Sequence, residues 1–239
     1  SVNMNFVALD VETANSARSS ICQIGVAIFE NGQYQRSWET LVNPEVYFDD
    51  INISIHNISE DMVKNAPTFP NVHKELHQYL TQGVVVTHMP FDRVAMSRVH
   101  EKYSLDLPTI DWLDSAMAVR RTWKDRSQKG YGLKSITEFL GIEFQHHDAA
   151  EDARAAGEVL LHALKVSGHS LEDLSQKISA PLSSNSTQYS KDIKQDGNPD
   201  GVLYGESIVF TGRLTISRRE AATHAANAGC TVQNSVTKT

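Results

Sequence analysis

Asp10, Glu12, Asp92, His147 and Asp152 are the residues of this 239-residue chain whose types and spacing point to chemistry. The first pair closes the apolar run Phe6-Val7-Ala8-Leu9-Asp10-Val11-Glu12. Strand side chains alternate between faces, so the two carboxylates point the same way, about 7 Å apart along the backbone. Two like charges on an apolar strand are costly unless a cation lies between them. Asp92 stands where an apolar strand gives way to a helix. An acid in a first helical turn also complements the helix dipole, so alone this residue reads either way. In His146-His147-Asp148-Ala149-Ala150-Glu151-Asp152, Asp148 and Glu151 have capping-box spacing, with Asp148 as N-cap. That leaves His147 just outside a helix, overhanging a site, and places Asp152 in the first or second turn. His146 is expected to be the solvent-facing member of the pair.

The elements that must position these groups alternate in type. Periodicity predicts strands over residues 5–11, 22–30, 34–42 and 83–87, the first three as a meander. It predicts helices over 69–80, 91–103, 114–124, 133–140 and 149–166. Strands followed by mixed strand and helix units indicate a three-layer α/β domain with a mixed central sheet. Residues 169–200 form the expected linker, because Ser, Asn, Pro, Gly and Asp crowd the segment from about 177 onward. A new folded signal follows, with a strand over 207–211, a helix over 217–228 and a strand over 230–233. So short a piece seldom folds alone without disulfides or metals, so residues 201–239 read as part of a domain.

Composition bounds the answer loosely. Hydrophobic residues make up 40% and charged residues 21%, as in globular proteins with a substantial core. The formal net charge of −7 argues mildly against a nucleic-acid binder, but a carboxylate metal site itself adds negative charge. Cys22 and Cys230 have no metal-binding spacing and imply no disulfide framework, so a reducing, cytoplasmic setting is expected. No apolar run approaches the ~18 residues of a membrane span. The most basic stretch, Arg120 to Lys129, carries five cations around Trp123. It reads equally as a phosphate-tracking surface or as a solvated helix end.

The order of the motifs Asp10-Val11-Glu12-Thr13, His88-Met89-Pro90-Phe91-Asp92 and His147-Asp148-Ala149-Ala150-Glu151-Asp152 resembles that of the DnaQ-like 3′–5′ exonucleases of the DEDDh type. That family includes the proofreading subunit of bacterial DNA polymerase III. The resemblance covers residues 4–168 and keeps all five active-site positions, His147 and Asp152 having the required His, four residues, Asp spacing. It implies a ribonuclease H-like fold and removal of 5′-mononucleotides from DNA 3′ ends, in repair or replication. It also implies two Mg²⁺ or Mn²⁺ ions held by Asp10, Glu12, Asp92 and Asp152. Hard cations prefer such oxygen ligands, and a pair of them stabilises attacking and leaving oxygens alike. His147 would take the proton of the attacking water, with Thr13, His88 and Phe91 contacting substrate. Two departures stand out. Ala14-Asn15 replaces the usual Thr-Gly, and Met89 the usual Asn.

The segment from Gly205 to Leu214, with Ser217-Arg218-Arg219-Glu220, resembles the start of a BRCT domain. This implies a phosphate pocket of Thr211, Gly212 and Arg218, with Lys238 as a further contributor, serving phosphorylated DNA ends or a protein partner. Two alternatives stay open at this stage: an exoribonuclease, and a non-catalytic protein that binds DNA ends or a partner through an exonuclease-like fold.

Overall fold

The computed structural model describes residues 3–126, 128–174, 193–212 and 214–235. The chain divides into two compact units, Ser1–Pro181 and Leu182–Thr239.

The first unit is built on a five-stranded sheet of β1 (Phe6–Thr13), β2 (Ile21–Glu30), β3 (Gln33–Leu41), β4 (Val84–Thr87) and β5 (Asp111–Asp114). Their order across the sheet is β3-β2-β1-β4-β5. The meander β1-β2-β3 is antiparallel, whereas β4 and β5 run parallel to β1, giving the expected mixed sheet. Alternation along β1 sorts its side chains between two cores. Val7, Leu9 and Val11 pack with Phe69, Leu76 and Leu80 of α3 (Phe69–Leu80) and with Met96 and Val99 of α4 (Phe91–Lys102). Phe6 and Ala8 pack on the opposite face with Ala153, Leu160 and Ala163 of α7 (Ala149–Ser167). Asp10 and Glu12 continue that second row, toward α7.

The remaining helices are α1 (Asp50–His56), α2 (Glu60–Val63), α5 (Ser115–Thr122) and α6 (Leu133–Leu140). Sequence periodicity finds neither α1 and α2 nor β5. The four residues of β5 are polar at both ends, and it qualifies as a strand only through its parallel pairing with β4. No helix among the described residues is long and apolar enough to cross a membrane.

Close packing of α7 on β2 depends on a missing side chain. A Cβ at Gly157 would lie 2.3 Å from the Phe29 ring, itself buried and stacked on Phe6 at 4.7 Å.

The second unit has β6 (Ser207–Val209) and β7 (Thr231–Gln233) in parallel, with α8 (Arg218–Asn227) between them in sequence. Contacts reach into the segment 169–200 from both sides. Leu171 and Leu174 are buried in the core of the first unit. Gln195 bridges Val232 of β7, and the Asn198 N–H donates to the Ala226 carbonyl at 2.7 Å. Residues 175–192, with most of the Ser- and Asn-rich stretch, lie outside the described residues.

Gly157→Ala should cost about 1–3 kcal/mol, because the methyl group overpacks a filled core. Urea midpoints of the two proteins check this, and an unchanged midpoint would contradict the packing described.

Candidate active site

The parallel β1–β4 ladder ends at Ala8, opposite Val86. Residues 10–13 therefore overhang, paired with β2 on one side only. An unpaired backbone N–H under cover is costly. Asp92, only 3% exposed in the first turn of α4, meets this need, since its Oδ1 accepts the Val11 N–H at 2.9 Å. Strand shortage thus fixes one carboxylate against the strand that carries two others.

A second device brings α7 in from the other side. Asp10 pairs with Gly25, so the bare face of Gly25 points the same way as the Asp10 carboxylate. A Cβ there would lie 2.2 Å from the Ala149 carbonyl carbon and 2.3 Å from the Ala150 nitrogen. Glycine alone lets the first turn of α7 rest on the sheet. The free N–H groups of that turn are met by Gln23, whose Oε1 accepts from Ala149 at 3.2 Å, and by Asp148, which accepts from Glu151 at 3.2 Å. Only the Asp148 half of the expected capping box is visible, because the Glu151 carboxylate turns to Arg154 at 2.8 Å.

His147 sits just before the helix in the left-handed region, at φ 64°, and its N–H donates to Asp152 Oδ2 at 3.0 Å. Each of Glu12, His147 and Asp152 brings a ligand atom within 4.8 Å of those of the other two. The expected order of the histidine pair is reversed: His147 is exposed at the mouth of the cluster and His146 is half-buried. The His146 ring packs on Phe144, with centroids 3.9 Å apart, and its Nδ1 lies 4.0 Å from Asp152 Oδ1.

The cluster is short of positive charge. Burial, then the charges of Asp92, Asp152 and Glu12, push the Asp10 carboxyl well above the usual range. Burial followed by Asp152 and Asp92 raises Glu12 to about 8. Asp92 and Asp152 rise to about 7, burial leading in both, with the N–H donors of Val11 and His147 opposing it. Asp10 Oδ2 and Asp152 Oδ1 are buried with no hydrogen-bond partner. Orphaned carboxylate oxygens in a crowded acidic pocket are the donor set that hard divalent cations take. These residues fit such ions.

The flanking candidates have internal partners. Thr13 is buried, and its carbonyl accepts from Asn52 Nδ2 and from His56 Nε2, both at 2.9 Å. Because the Ile58 N–H donates to His56 Nδ1, the ring hydrogen must lie on Nε2. Sequence reasoning misses Asn52, His56, Gln23 and Gly25; the i, i+4 spacing of Asn52 and His56 was the available signal for the first two. His88 Nε2 donates to the Tyr131 carbonyl at 2.6 Å and Nδ1 lies 2.7 Å from Ser115 Oγ, so both ring nitrogens are engaged within the fold. Phe91 is half-buried beneath the Arg18 guanidinium. Met89 has φ 78°, a conformation Asn adopts more readily, and its N–H is held by Asp114 Oδ1. The basic stretch is partly packed: Arg126 lies 4.0 Å over Phe139, Trp123 meets the same ring edge-on, and Arg120 lies over Tyr131, while Lys124 and Lys129 are exposed.

In the second unit, Ser217 caps α8 by accepting the Glu220 N–H at 3.1 Å. Arg218 donates to the carbonyls of Phe210 and Gly212, so its guanidinium ties the loop carrying Thr211 and Gly212 to the helix. Lys238 lies outside the described residues.

The mixed five-stranded sheet has the ribonuclease H-like fold of exonucleases, with four carboxylates and one histidine gathered about the end of its central strand. The exonuclease family model RNase_T matches residues 7–160, and the chain belongs to that family. Among its relatives are a PolC-type DNA polymerase III of Caldanaerobacter subterraneus subsp. tengcongensis, 28% identical over 69% of this chain, and the 3′–5′ exonuclease DinG of Bacillus subtilis, 30% identical over 67%. The matched region is 12% of the former and 18% of the latter, so the chain spans a small part of these relatives. Two solved structures share the fold: exonuclease X with 5′-overhanging duplex DNA (TM-score 0.58, 20% identity, 72% of this chain and 98% of that one), and a 3′-exonuclease recognising a histone mRNA stem-loop (TM-score 0.59, 18% identity, 69% and 83%).

Two outcomes follow from this geometry. Carboxyl groups that titrate near 7–8 when folded but near 4 when unfolded bind protons preferentially in the folded state. In chelator, the stability they contribute should be full below about pH 4 and disappear as pH rises through 8. Urea midpoints across this range should fall more steeply for the wild type than for Asp152→Asn, and divalent cation should flatten the difference. Gly25→Ala should push the first turn of α7 off β2 and weaken Mn²⁺ affinity at least tenfold by calorimetric titration. Wild-type affinity would refute the role given to that glycine.

Proposed function

We propose that this chain is a metal-dependent 3′–5′ exonuclease that hydrolyses the terminal phosphodiester bonds of DNA and releases 5′-mononucleotides. The observation that carries this reading is the convergence of Glu12, His147 and Asp152 beside the orphaned oxygens of Asp10 and Asp152. The direction of attack draws on the relative named as a 3′–5′ exonuclease. Asp10, Glu12, Asp92 and Asp152 would hold two ions, Mg²⁺ or Mn²⁺. Such ions supply Lewis-acid polarisation of the phosphoryl oxygens and a hydroxide nucleophile at neutral pH.

The other steps belong to the chain. The exposed His147 ring is the side chain we assign to accept the proton of the attacking water on a ring nitrogen. The bond between its N–H and Asp152 holds the ring's backbone over the cluster. Thr13 and Phe91 flank the carboxylates and are the side chains we assign to the terminal nucleotide, with His88 ordering the loop behind them. Tyr47, Ile51 and Ile55 leave apolar surface exposed next to the helix face that grips Thr13, and unstacked bases have faces of the same character.

RNA 3′ ends are the second reading, supported by the stem-loop complex among the structures that share this fold. For the chain's organisation, we infer an exonuclease domain over residues 4–168, a connection within 169–200, and a BRCT-like piece over 201–239. The parallel β–α–β arrangement of the second unit supports that last part. It would serve a protein or phosphate-bearing partner.

Asp10→Asn and Asp152→Asn should abolish mononucleotide release while leaving circular dichroism as in the wild type and the urea midpoint in chelator at neutral pH no lower than that of the wild type. His147→Gln should retain Mn²⁺ binding but lose about 10²–10⁴ in turnover. Digestion of matched 3′-labelled DNA and RNA oligonucleotides separates the two substrates, and full activity of either Asp variant would defeat the proposal.

A further inference from the structure

The segment between β1 and β2 is a built scaffold. Asn15, 4% exposed, accepts the Ala17 N–H with Oδ1 and donates through Nδ2 to the Tyr47 carbonyl, both at 2.9 Å. Ser20 Oγ donates to the Ala17 carbonyl at 2.6 Å. This turn carries Arg18 over Phe91, with the guanidinium carbon 4.7 Å from the ring centroid. Positions 91, 95, 98 and 102 share one stripe of α4. The stripe begins beside Asp92 and ends at Arg98 and Lys102, about 9 and 15 Å further along the helix axis.

Arg18, Arg98 and Lys102, with Ala17, Ser19 and Glu101, line an open groove of about 470 Å³. Its charge is three cations against one acid. Glu101 reaches Arg98 at 3.3 Å, but the acid is 71% exposed, and so solvated a pair offsets little of the positive field. Lys102 Nζ donates to the Pro44 carbonyl at 3.0 Å, which holds the ammonium in place. In a chain of net charge −7, this local excess lies along the helix that starts in the acidic cluster.

We propose that this groove binds the backbone phosphates of single-stranded nucleic acid a few nucleotides behind the 3′ terminus, Arg18 and Phe91 forming the passage between the two sites. The proposal rests on reading the carboxylate cluster as the cleavage centre. It explains how an acidic protein approaches a polyanion: cations placed along the strand release its condensed counterions, while the terminal phosphate alone meets the carboxylates.

The test uses the full chain in chelator, with a 3′-labelled single-stranded oligonucleotide as anisotropy probe. The double variant Arg98→Gln/Lys102→Gln should bind roughly tenfold more weakly at low salt, and its log–log salt slope should be shallower by about 1.4, for two lost phosphate contacts. Hydrolysis of the p-nitrophenyl ester of thymidine 5′-monophosphate in Mn²⁺, which needs no strand, should stay at the wild-type level. Unchanged oligonucleotide affinity and slope would overturn the groove. Displacement of the oligonucleotide by polyglutamate of equal charge would overturn nucleic acid as its ligand. Failure of the wild type to hydrolyse the ester, with the binding difference intact, would reject the cleavage reading and leave the groove standing.

Discussion

Four carboxylates are held closer together than their own charge favours, and the first unit is arranged to sustain that. Their desolvation and mutual repulsion are a standing cost that pushes these carboxyl groups toward neutral pH. The sheet, the strand lengths and two close helix contacts bear this cost because the apolar packing beneath the site is extensive. Val7, Leu9 and Val11 anchor one face of β1, and Phe6 and Ala8 the other. The acidic end is an extension of a strand whose apolar part is already fixed.

Position in this site is set by backbone demands more than by side-chain affinity. β4 stops short of β1, and Asp92 is drawn in because the Val11 N–H needs an acceptor. Asp152 is oriented by the His147 N–H, and α7 is seated by a glycine and by a glutamine that answers its first free N–H. Asp92 and Asp152 thus each have one oxygen committed to structure, and Asp10 and Asp152 each have one left unanswered. That division of labour lets a rigid scaffold keep open valence toward a cation.

Much of this was legible in the sequence, and what escaped has identifiable physical causes. Alternation fixed the shared face of Asp10 and Glu12, and helical periodicity placed α3 and α6 to the residue. The short strand β5 and the helix α1 lack a periodic signal, since both owe their form to tertiary partners: β4 for one, the Thr13 carbonyl for the other. Gly25 looks like any strand glycine until the helix that crosses it is known. The histidine pair was ordered wrongly because the Phe144 ring that shelters His146 lies outside the motif. Leu171, Leu174 and Gln195 make contacts that composition does not register.

The site is also assembled from distant parts of the chain, and this has a consequence for synthesis. Asp10 and Glu12 leave the ribosome some 140 residues before Asp152 and the glycine-seated turn of α7. Until that helix docks on β1, the first acids have neither their geometry nor their full set of ligands. On the proposed reading, a nascent chain that emerges beside messenger RNA would carry no competent centre. Folding of the last helix onto the sheet is the event that arms it.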